Sequence, residues 1–100
     1  MSDEMPPLFQ AILAQDHKAI RRLLADGASL GEIWQGKSPL SFAVTVWREG
    51  DTEPQKLAIA RTLISCGAPL GLRNAQGETP AEEAAAAGWK DLSDFLLAWG

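Results

Sequence analysis

The sequence predicts an all-α fold: a solenoid of three stacked helix-turn-helix pairs joined by turns or short hairpins. Three observations predict it. A helix stop, a tight turn and a helix start follow one another from Gly67 to Pro80, and again from Gly27 to Pro39. Between these signals apolar residues recur at helical spacing. The segments also repeat: Pro7 to Gly27 and Pro80 to Gly100 each span 20 residues, and Pro39 to Gly67 spans 28. Self-similarity at a fixed period decides a fold ahead of local propensity.

One hundred residues suit one domain. Residues 1–6 read as a flexible lead, and residues 7–100 as a single repeat domain with units near 7–32, 33–73 and 74–100. Leu8, Phe9, Ile12 and Leu13 keep helical spacing, so a first short helix runs from Pro7 to about Ala14. Asp16 can cap the second helix, in which Ile20, Leu23 and Leu24 face inward while Lys18, Arg21 and Arg22 face water. Gly27 suits the left-handed residue that closes a helix. Helices this short, joined by two residues, lie antiparallel.

Ser38-Pro39 opens the third helix, to about Trp47, with Leu40, Ala43 and Val44 inward. Thr52 or Glu53-Pro54 opens the fourth, with Leu57, Ala60, Leu63 and Ile64 inward. Arg48 to Glu53 is a polar loop, and the eight extra residues of the middle unit fit there. Cys66 lies late in this helix and reads as a structural thiol, since nothing beside it supplies a base. Asn74-Ala75-Gln76-Gly77 is turn chemistry. Thr79, Pro80 and Glu82 form an N-cap, a first-position proline and a capping-box acid. Ala81, Ala84 and Ala85 face inward in the fifth helix. Gly88 separates it from a sixth, Asp91–Trp99, where Leu92, Phe95, Leu96 and Trp99 recur on one face.

Charge and composition narrow the function. A net charge of −4 speaks against a nucleic-acid partner, because phosphate binding needs clustered Lys and Arg. No apolar run reaches spanning length, so no membrane partner is expected. The start, Met-Ser-Asp-Glu-Met-Pro-Pro, has neither a basic segment nor an apolar core, so no secretory signal is expected. A single cysteine fits a reducing compartment, and a cytoplasmic location follows.

The unit resembles the ankyrin repeat. Asn74 to Trp89 is the closest match to that family's turn, Thr-Pro-Leu-His, paired-alanine and Gly-His pattern. Ile33 to Val44 matches well, and Pro7 to Ile12 weakly, as a terminal cap does. The family's histidine is missing throughout, its places held by Phe9, Ser41 and Glu82, so polar networks between units are expected to be thinner. The resemblance implies an ankyrin-repeat-like solenoid that binds a partner protein on a concave side of turn tips and first helices. Carried onto this chain, the exposed turn positions are Trp34, Gln35 and Lys37, then Ala75, Gln76 and Glu78. The first-helix positions are Thr45 and Val46, then Ala86 and Ala87.

Three places stand out for partner binding. Trp34 is a tryptophan at a turn tip; it either anchors a partner, as interface tryptophans do, or folds back over the first unit. Trp47 and Arg48 at the root of the polar loop either join the site or cover the end of the helix pair. Phe95 and Trp99 fill slots held by Arg22 and Asp26 in the first unit, and by Thr62 and Cys66 in the second. They either carry self-association (a homo-oligomer contact) or partner docking on the C-terminal face, or they seal the end of the stack.

No catalytic, cofactor-binding or metal-binding residue is expected. His17 and Cys66, in different units, have no metal-ligand spacing. Glu82 and Glu83 point about 100° apart on a helix and do not face one cleft. The sequence therefore reads as a non-catalytic protein-interaction module, with a dedicated inhibitor or immunity protein of a toxin or enzyme, or a self-assembling structural unit, as the alternatives.

Overall fold

In a computed structural model of the chain, residues 5–74 and 76–99 are described, residue 99 by its backbone only. Among them are six α-helices and no strand: α1 Pro7–Leu13, α2 His17–Ala25, α3 Pro39–Thr45, α4 Glu53–Ser65, α5 Pro80–Ala86 and α6 Lys90–Trp99. The expected flexible lead falls mostly on residues 1–4, outside the described residues. Met5 packs on the core, and Gln10 Nε2 donates to its carbonyl at 2.6 Å.

The starts and stops follow local chemistry. Asp16, Ser38, Thr52 and Thr79 each accept a bond from a first-turn amide of the helix they precede. Thr52 with Gln55, and Thr79 with Glu82, complete reciprocal capping boxes. α2 and α4 close alike. The amide of Ala28 reaches Leu23 O at 2.9 Å, and that of Ala68 reaches Leu63 O at 3.0 Å. Gly67 has φ 101°, which a side chain disfavours although a Cβ there would meet nothing within 4 Å.

The helices pair in sequence, α1 with α2, α3 with α4 and α5 with α6. The first members also pack in a row, α1 on α3 on α5, and so do the second, α2 on α4 on α6. One continuous core runs between the rows, through Leu8, Phe9, Ile12, Ile20, Leu40, Val44, Ile59, Leu63, Ala84, Leu92 and Leu96. Central α3 is sandwiched on both sides, so every residue from Pro39 to Val44 is buried.

Four local expectations change. α3 stops at Thr45, because Val46 turns extended and its carbonyl accepts from Lys56 Nζ at 2.8 Å. Ala85 is exposed; α5 instead buries Pro80, Glu83 and Ala84. Cys66 is exposed, at the C-cap of α4. The polar loop is anchored from below by Asp51, whose side chain is only 7% exposed.

Candidate functional site

The turn tips come first. Trp34 and Lys37 exchange backbone hydrogen bonds at 3.0 Å each way, closing a two-residue turn through Gln35 (φ 55°) and Gly36 (φ 76°). Positive φ at both central residues makes it a type I′ turn, whose twist suits a tight hairpin. Gln35 projects into solvent. Trp34 is half-buried, and of the two readings open to it the geometry matches the inward one. Its ring lies 5.7 Å from that of Phe9 and 6.1 Å from that of Phe42, and those two meet edge-on at 5.1 Å. Such tilted arrangements are the favourable ones for aromatic quadrupoles.

Lys37 is half-buried too. Its Nζ lies 3.3 Å from Glu83 Oε2, and Glu83 Oε1 accepts from Ser41 Oγ at 2.6 Å. A buried carboxylate thus gains a charge-assisted partner and a hydroxyl donor, which burial of an ion requires. This network ties α3 to α5, where the missing histidine suggested little polar linkage.

The second tip is held by Asn74, whose Oδ1 accepts from the amides of Gln76 and Glu78, each at 2.9 Å. Gln76 is exposed, while half-buried Glu78 takes a bond from Asn74 Nδ2. Ala75 lies outside the described residues. Ala86 and Ala87 are exposed; Thr45 is half-buried and its hydroxyl turns back to Ser41 O at 2.8 Å.

Around the polar loop the side chains knit inward. Trp47 stacks on Trp89 with centroids 4.2 Å apart and planes 15° from parallel, and its Nε1 donates to Val44 O. Lys56, 1% exposed, lies 5.6 Å above the Trp47 ring and 3.0 Å from Asp51 Oδ2. Asp51 also accepts from the Arg48 amide at 2.6 Å and from Gln15 Nε2 at 2.9 Å. The Arg48 amide, and next to it the Lys56 ammonium, hold the Asp51 carboxyl below its ordinary pKa. Val46 is half-buried and Arg48 exposed. Trp47 therefore joins the middle and last units.

Phe95 is half-buried on α6 and lines a groove against α4. The side chain of Trp99 lies outside the described residues.

The groups weighed for chemistry are dispersed. His17 Nδ1 meets Thr62 Oγ1 at 2.7 Å, bridging α2 and α4. Glu82 bonds the Thr79 amide at 2.8 Å, and that bond, more than Arg73 at 3.3 Å, lowers its pKa. Among the described residues no three His, Cys, Asp or Glu gather as a metal site, and no helix is long and apolar enough to cross a membrane.

The sequence reasoning missed Lys56 and Glu83, although a signal existed. Residue 56 shares the stripe of Ile59, Ala60 and Leu63, and residue 83 that of Pro80 and Ala84. A charged residue in phase with an apolar stripe points to a buried pair.

The chain matches no family model. No curated protein is significantly similar to it.

Proposed function

We propose that the chain is a protein-docking module: an ankyrin-like stack of three helix pairs that binds a partner protein on its turn tips and first helices and turns over no substrate. One observation carries the reading. The same helix positions meet at both junctions between first helices. The third residue of α1, Phe9, touches the fourth of α3, Phe42; the third of α3, Ser41, touches the fourth of α5, Glu83. The second row is bonded across both junctions too, through positions that differ: His17, first in α2, reaches Thr62, tenth in α4, and Glu53, first in α4, accepts from the amide of Leu92, third in α6, at 3.0 Å. A contact set that recurs from unit to unit is what a repeat stack requires.

The docking side follows from chemistry as well as from likeness. Of the first helices, α1 contains no charged residue, α3 is buried but for Thr45, and α5 contains only Glu82 and Glu83, both of which have partners within the fold. Such a surface recognises by shape and by neutral donors at its rim, chiefly Gln35 and Gln76. A reducing cytoplasm suits the free, exposed Cys66.

The test is a double variant, Gln35→Arg with Gln76→Arg, compared with wild type for partner capture from the native host. Both side chains are exposed, so melting stays unchanged while a wild-type partner is lost. A partner retained by the double variant would remove the turn tips from the site.

A further inference from the structure

Lys37, Lys56 and Arg73 are held in ion pairs inside the fold. Lys18, Arg21 and Arg22 on α2 and Arg61 on α4 are not. All four are exposed, and among the described residues none makes an ion pair or a side-chain hydrogen bond. They lie along one seam. His17, next to Lys18 and one turn before Arg21, meets Thr62, next to Arg61, at 2.7 Å. Within the two helices no free acid offsets them. α2 contains none, and Glu53 of α4 is bonded to the Leu92 amide.

The arrangement works against the fold. Lys18 stands three residues before Arg21 and four before Arg22, spacings at which like charges face each other on a helix and destabilise it. It is also the second residue of α2, where the positive end of the helix dipole disfavours a cation. Local stability would place an acid there. A local cost of this kind is characteristic of residues kept for a contact outside the fold.

We propose that the seam of α2 and α4 docks a short acidic segment of a partner protein, its carboxylates pairing with Lys18, Arg21, Arg22 and Arg61. Charge complementarity selects that occupant: a basic patch on a chain of net charge −4 attracts acidic surfaces. Three of its four members are arginines, whose planar forks take a carboxylate through two parallel hydrogen bonds. The patch is also short. Asp16 and Asp26 stand exposed just before and just after α2, which spans nine residues, roughly 14 Å. Beyond α4, Asp91 and Asp94 are exposed on α6. A nucleic-acid strand, negative along its whole length, runs into those acids; a segment with a few carboxylates does not.

The seam lies on the second helices, so the inference stands or fails separately from the turn-tip docking surface. The test is titration of the full chain with a helical peptide carrying glutamates along one face, followed by amide chemical shifts. The same peptide in lysine and a single-stranded DNA oligonucleotide of equal length are the controls. The glutamate peptide is expected to bind saturably, more weakly as salt rises, with shifts centred on α2 and Arg61. Arg21→Glu with Arg61→Glu weakens it about tenfold or more. Lys18→Glu separates docking from folding. It weakens the peptide too, yet raises the melting temperature of the free chain, because an acid then stands at the helix start and four residues before Arg22. No saturable binding at millimolar peptide, shifts centred elsewhere, or binding indifferent to the reversals overturns the inference. A Lys18→Glu chain that melts below wild type overturns it as well, by making the cations part of the fold. DNA bound as tightly as the glutamate peptide overturns it in favour of a nucleic acid.

Discussion

Gln35 holds a left-handed backbone without being glycine, at φ 55° in the turn between Trp34 and Lys37. An L-residue other than Asn or Asp is strained there by roughly 1 kcal/mol. Asn before glycine is the favoured pair for this turn type. Gln35→Asn should therefore raise stability by about 0.5–1 kcal/mol, read as a higher denaturant midpoint at unchanged slope. Asp51 sets a different dependence. Its carboxyl is held below the ordinary value, chiefly by the Arg48 amide and then by Lys56. The folded state thus favours the ionised form. Its contribution is complete above the unfolded pKa, about 4, and is lost as pH falls through the lower folded value. Asp51→Asn should flatten that acid limb of a stability–pH curve while lowering stability at neutral pH. A limb unchanged in the variant would assign it to other carboxylates. The sequence placed Gln35 in an exposed turn but carries no signal for its left-handed backbone, and Asp51 sits in a run of polar residues that looks like free loop.

At the scale of the element, helix starts were legible and helix faces less so. Ser38-Pro39 and Thr79-Pro80 announce themselves because a hydroxyl acceptor and a proline solve the free-amide problem locally. Faces depend on which neighbour arrives. Glu83 can be buried only because α3 brings Ser41 and Lys37 against its carboxylate. Ala85, one position past Ala84, faces water because the neighbouring helices cover the other side. α6 is the instructive case. Its Leu92 amide bonds Glu53 of α4, a residue 39 positions earlier in the chain. Glu53→Ala should cost about 1 kcal/mol, the usual worth of a helix N-terminal partner, and should speed hydrogen exchange in the first turn of α6. Loss confined to α4 would contradict that cross-unit role.

For the whole molecule, the spacing of the prolines and glycines and the recurring apolar stripes foretold six helices in three pairs, and the described residues are all-helical, with six helices and no strand. They did not foretell the polar and aromatic links between pairs, because spacing constrains each unit and says little about its neighbour. The links are substantial: the Phe9, Trp34 and Phe42 rings on one side of α3, the Glu83 network on the other, and the Trp47–Trp89 stack. A helix pair buries one face only, so the three pairs should stand together or not at all. Leu63, wholly buried in the middle pair, is the place to ask. Leu63→Ala should cost about 2–5 kcal/mol through the cavity it leaves. Native-state hydrogen exchange on this variant is the most direct test. Amides of α1, α2, α5 and α6 should lose protection together with those of α3 and α4. Protection lost in α3 and α4 alone, with the outer pairs unchanged, would mean that each pair folds for itself.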